Sequence, residues 1–348
     1  MKLLFVTQVV DRNDEALGAY HGWLIELAKR FETIEVICLY EGEHALPANV
    51  RVHSLGKERG IRSALVYAVR FLRHAWRLRS DYDAVFVHMN QEYVLAAGWL
   101  WKLLGKRMYL WRNHYAGTLL TDIAAAFCAK VFCTSMHSYT ARYRKTVLMP
   151  VGVDLARFEG ADATPRAPRS ILFLSRIAPS KRPDMFIEAL GLLIGKGISF
   201  VASIYGSSLP ADAAYHDSLE GRVEALGLHD RVRFYPGVPN EKAAPVFRAH
   251  DIFVNCSPSG MFDKTLFEAI AAGCVVLAIS DDFARMAGGG TAFTDAASLA
   301  ERLTSMLEAS DGEQDGIRKF QKDAAAMHAL PLLAERLAAE LESQHMLI

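Results

Sequence analysis

The sequence holds little that would staple or anchor a chain from outside. Its five cysteines in 348 residues (Cys38, Cys128, Cys133, Cys256, Cys274) form no C-x-x-C pair and no zinc-type Cys/His spacing, which excludes a disulfide scaffold and a zinc module. Three lie in apolar, strand-like runs, so the five read as reduced core residues of a cytosolic protein. No apolar run approaches the ~20 residues that span a bilayer; the most apolar helix candidate, 94–104, contains Lys102. The apolar start at 3–6 is broken by Thr7, Gln8 and Asp11, well short of a signal-peptide core, and reads as a first strand. Net charge is absent as well, 39 Lys and Arg against 39 Asp and Glu, which excludes a uniformly basic nucleic-acid binder. The first strand is followed by Gly18 and Gly22 but no G-x-G-x-x-G, and neither Walker A nor H-E-x-x-H occurs. A nicotinamide dehydrogenase, a P-loop hydrolase and a zinc protease are thereby set aside.

What is present is an ordinary globular composition, 51% apolar and 22% charged, in a chain long enough for two domains. Short Val/Ile/Leu/Phe runs alternate with helical patterns, the signature of parallel sheets built from strand-helix units. Strands are expected at 2–7, 34–39, 50–55, 84–88, 107–112, 130–134 and 146–149, and again at 170–175, 199–205, 231–235, 251–255 and 274–279. Helices are expected near 16–30, 61–79, 91–104, 117–128, 136–144, 183–195, 212–226, 241–249 and 264–272, with mostly helix from 296 onward. These patterns predict an α/β protein: a Rossmann-like domain at 1–158, a linker at 159–169, and a second at 170–329. A last helix, 330–348, would cross back to the first domain. Two doubly wound domains facing across a cleft put function in the strand-end loops.

Two such loops carry chemistry. Arg176, Lys181 and Arg182 stand between a strand and a helix that opens at Pro183, where cations and orphan N–H groups together attract a diphosphate; solvated surface charge is the plainer account. The Gly/Ser-rich run 257–265 leads into 266–273, and suits an anionic or polyhydroxylated ligand. Thr265-Leu266-Phe267-Glu268 also fits a capping box needing no ligand.

Pro150-Val151-Gly152-Val153-Asp154, Ser175-Arg176-Ile177-Ala178-Pro179-Ser180-Lys181, Val232-Arg233-Phe234-Tyr235-Pro236-Gly237 and the segment from Ser257 through Glu268 to Val276 together resemble glycosyltransferase family 4, across about residues 150–280. The resemblance implies the GT-B fold and a retaining, metal-independent enzyme that uses a nucleotide-diphosphate sugar as donor substrate and no other cofactor. It implies that Arg176 and Lys181 hold the diphosphate and neutralise the leaving group, with His114 as a further catalytic residue. It gives the ribose hydroxyls to Glu268. The rest of the donor site would be Gly260, Met261, Phe262, Asp263, Lys264, Thr265, Gly206, Gly237 and Val238, with Gly18 in a glycine loop on the acceptor side. The family's usual glutamate eight residues before Glu268 is replaced by Gly260, and Asp263 is the nearest carboxylate to take over the sugar contact or to cap the helix. No D-x-D stands in the expected cleft loops, and no metal is assigned.

The two halves differ in charge: 1–150 holds 20 Lys and Arg against 13 Asp and Glu. Six arginines and no acid lie between Arg59 and Arg79, with Arg70, Arg73 and Arg77 on one helical face beside a stripe of Ile61, Leu65, Val69, Leu72 and Trp76. The pattern fits a helix whose stripe packs on the sheet and whose basic face is solvated, or one that docks on an anionic membrane surface, making the protein peripheral on the inner face of the cell membrane. The acceptor implied is a glycan or a lipid-linked glycan; nucleic acid is excluded as a partner. A non-catalytic sugar-nucleotide or glycan-binding protein on the same fold is the alternative, and an epimerase a third.

Overall fold

The computed structural model describes residues 1–15, 17–160, 166–260 and 262–342. The chain divides into two units, one of 1–152, 239–241 and 330–348, the other of 153–238 and 242–329.

The first unit is built on seven parallel strands, β1 (Lys2–Val10), β2 (Thr33–Glu41), β3 (Val50–Ser54), β4 (Ala84–His88), β5 (Arg107–Trp111), β6 (Lys130–Cys133) and β7 (Thr146–Leu148). Their order is β3-β2-β1-β4-β5-β6-β7, doubly wound, with the direction of winding reversing between β1 and β4. Alternate residues of β1 feed opposite cores, as a pleated strand covered on both faces requires. Leu3 and Phe5 join Trp23, Phe86 and Trp111 under α1 (Ala19–Ala28), while Leu4 and Val6 join Val85, Phe71 and Trp101 under α2 (Ala64–Arg77), α3 (Gln91–Leu103) and α4 (Leu119–Phe127).

The stripe on α2 is not where the amphipathic pattern puts it. Phe71 and Ala75 are the residues α2 buries, whereas Leu65, Val69 and Trp76 are 74%, 58% and 50% exposed. The helix expected at 136–144 is reduced to one 3₁₀ turn, Tyr139–Arg142. Its start is taken over by a serine turn, in which the Ser135 hydroxyl accepts from His137 N–H and the Ser135 carbonyl from Ser138 N–H.

The second unit opens with α5 (Leu155–Phe158) and carries five parallel strands in the order β10-β9-β8-β11-β12. These are β8 (Ser170–Leu174), β9 (Val201–Tyr205), β10 (Val232–Tyr235), β11 (Ile252–Asn255) and β12 (Val275–Ala278). Its helices are α6 (Pro183–Gly195), α7 (Ala213–Ala225), α8 (Ala243–Arg248), α9 (Lys264–Ala271), α10 (Asp281–Ala287), α11 (Ala296–Glu308) and α12 (Asp311–Ala325). Here winding reverses between β8 and β11, the strands that carry the two chemistry-bearing loops.

The last helix, α13 (Leu330–Glu342), belongs to the first unit. Leu333 and Leu337 join the core around Trp23, Lys130 pairs with Glu340 at 2.7 Å, and the Tyr109 hydroxyl donates to the Leu341 carbonyl. Among the described residues no helix is long and apolar enough to cross a membrane.

Candidate active site

In the second unit three strand ends are tied into one rim. Ser175 and Ile177 N–H donate to the carbonyls of Tyr205 and Ser207, Gly206 N–H donates to the Tyr235 carbonyl, and Gly237 N–H donates to the Ser207 hydroxyl. Gly206 is needed for this closure, because a Cβ there would lie 2.0 Å from the Ser175 carbonyl oxygen. Val238 follows Gly237 on the same rim, half-buried. Arg176 projects from the rim, exposed, and its side chain has no hydrogen bond or ion pair among the described residues.

Pro179–Lys181 form a 3₁₀ turn, and Arg182, in the left-handed region at φ +53°, turns the chain into α6 with Pro183 first. That turn directs Lys181 to the neighbouring loop. Its Nζ donates to Asp263 Oδ2 at 2.7 Å, to Oδ1 at 2.9 Å and to Ser257 Oγ at 3.1 Å. Asp263 also accepts from Ser257 Oγ at 2.5 Å and from Asn255 Nδ2 at 3.2 Å. Burial alone would raise the Asp263 pKa, but the Lys181 charge and these donors outweigh it and hold the carboxyl below its usual range.

Two expectations are corrected here. Helix α9 begins at Lys264 with Asp263 in the cap position, so Thr265 lies inside the first turn and the Thr265/Glu268 capping box does not form. Asp263, for its part, makes no side-chain capping bond, because its carboxylate is turned toward Lys181. Glu268 is 3% exposed, one turn along α9 from Lys264. Burial lowers the Lys264 pKa more than the Glu268 carboxylate raises it.

The loop before α9 is pinned from the other side by α10. Gly260 N–H donates to Asp282 Oδ2 at 3.3 Å, and Ser259 Oγ both donates to Asp281 Oδ2 and accepts from Asp281 N–H. Gly260 has φ +97°, so glycine at the usual glutamate position matches the backbone it occupies. Met261 lies outside the described residues. Phe262, buried at φ +36°, packs on Phe267 and on the His328 ring.

Structure thus brings together Lys181, Asp263, Lys264, Thr265 and Glu268, and places Arg176, Gly206, Gly237 and Val238 on the adjoining strand ends. Asn255 and Ser257 hold Asp263, and His328 packs on Phe262 and Phe267; Ser257 opens the expected loop, whereas Asn255 and His328 were not singled out by spacing. Gly18 and His114 belong to the first unit. Gly18 stands just before α1, its N–H donating to the Asp14 carbonyl. His114 follows β5, its Nδ1 lying 2.9 Å from the Ala116 nitrogen and 3.2 Å from the Ala116 carbonyl oxygen.

Residues 159–322 match the family model described as Glycosyl transferases group 1. Apart from 239–241, that segment lies within the second unit. Over 155 residues the chain is 34% identical to the D-inositol 3-phosphate glycosyltransferase of Streptomyces avermitilis, a match covering 41% of this chain and 33% of that protein. A protein of the same name from Mycolicibacterium smegmatis is 29% identical over 216 residues, 59% of this chain and 48% of its own. The chain thus spans less than half the length of these curated relatives. Among solved structures, Anabaena HepE in complex with UDP and glucose superposes with a TM-score of 0.78 at 18% identity, covering 99% of each chain. Sucrose-phosphate synthase from Thermosynechococcus elongatus gives 0.76 at 18% identity, again 99% of each. These likenesses are of fold: two parallel-sheet Rossmann-like units of the GT-B type.

Proposed function

We propose that the protein is a retaining glycosyltransferase of family 4 that moves a hexosyl group from a nucleotide-diphosphate sugar to a glycan or a lipid-linked acceptor, without a metal ion. The observation that carries this reading is the meeting, on neighbouring strands where the sheet reverses its winding, of a cationic turn (Arg176, Lys181) and a helix bearing a buried glutamate (Glu268). Arg176 is free to meet a phosphate, and Lys181 can share its three N–H donors between Asp263 and a second phosphate oxygen. Glu268 would accept from ribose hydroxyls, with Gly206, Gly237 and Val238 lining the nucleotide and Gly260 to Thr265 meeting the sugar. The matching family segment, the glycosyltransferase names of the curated relatives and the UDP held by HepE support the same donor class.

Chemistry follows from charge. With its diphosphate held by cations, the bond from the anomeric carbon to the phosphate oxygen ionises toward an oxocarbenium ion, and the bonding pair stays on the phosphate. The acceptor hydroxyl attacks from the face the phosphate leaves, and its proton passes to that phosphate oxygen. His114 would steady a sugar hydroxyl from the first unit, and Gly18 would give a diphosphate close access to the start of α1. A thermal-shift screen of UDP-, GDP- and ADP-sugars tests the reading, since a ligand bound only by the folded state raises its melting point. One base should stand out; no shift with any of them contradicts the proposal.

A further inference from the structure

Helix α9 has two working ends. Its first turn stands in the candidate active site, while its last turn and Gly273 form one side of a cavity of about 370 Å³, within the usual range for small-ligand sites. A helix that follows a strand of a parallel sheet runs back along it, so this cavity lies at the amino ends of the strands, away from the donor loops. The facing wall carries Arg318, Lys319 and Lys322 of α12, and Glu159, just after α5, is the one acid on it. Lys319 has no ion pair or hydrogen bond among the described residues, and Lys322 lies 3.2 Å from Glu159 across the opening. Arg318 is shared between Asp315 at 2.8 Å and Asp251 at 3.9 Å, yet its Nε is buried without a hydrogen-bond partner among the described residues.

Two features make this more than a solvated helix face. The cations are held in place from behind: Gln321, fully buried between Lys319 and Lys322, accepts from Val276 N–H and donates to the Val276 carbonyl, clamping α12 onto the edge strand β12. The end of α9, whose carbonyls would ordinarily repel an anion, is also offset. Arg166 donates to the carbonyls of Ala272 and Gly273 at 3.0 and 2.7 Å. A phosphate therefore meets three cations on a fixed wall and no opposing dipole. Beside them the Ile270 side of the floor offers an apolar surface, and Glu159 offers a carboxylate for hydroxyl groups once a phosphate takes Lys322 from it.

We propose that this cavity binds a phosphorylated sugar, with its phosphate among Arg318, Lys319 and Lys322 and its hydroxyls on Glu159, and that occupancy is felt at the other end of α9. The helix is eight residues long, about 12 Å, so a ligand on its last turn presses on the element that carries Thr265 and Glu268. Binding at the cavity is independent of the donor chemistry; the coupling rests on the reading of α9 as a donor contact. Because coupling is reciprocal, it is measurable as a change in nucleotide affinity.

Isothermal titration with glucose 6-phosphate, glucose and inorganic phosphate separates these claims on three proteins: the unaltered chain, a cavity variant (Lys319→Gln, Lys322→Gln) and Arg176→Ala. Both lysines are exposed, and melting temperatures verify the fold. The unaltered chain should bind glucose 6-phosphate more tightly than either glucose or inorganic phosphate. Binding should persist in Arg176→Ala and weaken in the cavity variant by roughly tenfold or more per cation, as for a lost hydrogen bond to a charged group. No binding to the unaltered chain overturns the site. Binding lost in Arg176→Ala and kept by the cavity variant overturns it too, and puts the phosphate in the donor loops. Inorganic phosphate bound as tightly as glucose 6-phosphate overturns the sugar. Saturating glucose 6-phosphate should then change the affinity of the unaltered chain for the nucleoside diphosphate chosen by the thermal-shift screen by about fivefold or more, the low end of usual couplings, and leave the cavity variant unchanged. An unchanged affinity overturns the coupling alone, whereas failure of every nucleotide to bind overturns the donor reading and the coupling with it.

Discussion

Lys181 Nζ lies 2.7 Å from Asp263 Oδ2, so the cation at the end of one strand-end loop is held by the carboxylate that precedes the helix of the next. Both side chains are largely shielded, at 15% and 18% exposure, and Ser257 touches both. Asp263 stands in the loop where Gly260 replaces the family's usual glutamate, and the carboxylate this loop retains orients a cation.

That relationship predicts coupling. Lys181→Met and Asp263→Asn should each cost about 1.5–3 kcal/mol in urea denaturation, the range for hydrogen bonds to charged groups. The double variant should cost clearly less than the sum of the two. Additive losses would mean that the pair contributes nothing mutual.

Arg176 and Lys181 should separate when each is changed to alanine. Both variants should lose turnover, by about tenfold to a thousandfold for a lost contact to a developing phosphate charge. Only Lys181→Ala should also melt earlier, because it leaves Asp263 buried without its ion pair, whereas Arg176 is exposed and unbonded. A melting temperature for Arg176→Ala well below that of the parent would show a structural role instead.

Much of this was legible from residue order. Parallel strands announce themselves as Val/Ile-rich runs between helical periods, and the Ser175 to Lys181 and Ser257 to Glu268 runs fall on strand ends as expected. What stayed hidden depends on partners far along the chain. The α2 pattern offers two apolar arcs, and only packing against β2 and α3 decides that Phe71 goes in while Leu65, Val69 and Trp76 stay out. Thr265 mimics a cap because its spacing to Glu268 is right, yet the helix starts one residue earlier. Asp263 reads as a cap or a sugar contact until Lys181, 82 residues away, is seen beside it. Helix α10, at seven residues, holds about two turns and gives no periodic signal.

Gly260 should resist replacement. At φ +97° an L side chain is strained, so Gly260→Ala and Gly260→Glu should both lose about 1 kcal/mol or more of stability. Restoring the glutamate should therefore not raise turnover. Unchanged urea midpoints in both variants would contradict the backbone argument.

His328 predicts a pH effect. Its ring lies 4.5 Å from that of Phe267 and 5.4 Å from that of Phe262, and burial pushes its pKa down to about 4 from an ordinary 6.5. The unfolded chain then binds this proton more readily than the folded one. The stabilisation from the neutral ring is complete above about pH 6.5 and is lost as pH falls from there toward about 4. His328→Phe should flatten that part of the melting-temperature profile; an identical slope in the variant would remove His328 as its source.

The central claim, that Arg176 and Lys181 carry a nucleotide-diphosphate sugar whose sugar leaves with retention, is tested most directly by proton NMR of the reaction with the donor that the thermal-shift screen selects. The account predicts that the parent protein releases the nucleoside diphosphate, that the product keeps the donor's anomeric configuration, and that Arg176→Ala slows release at least tenfold. An inverted product, or an Arg176→Ala protein as fast as the parent, would contradict it.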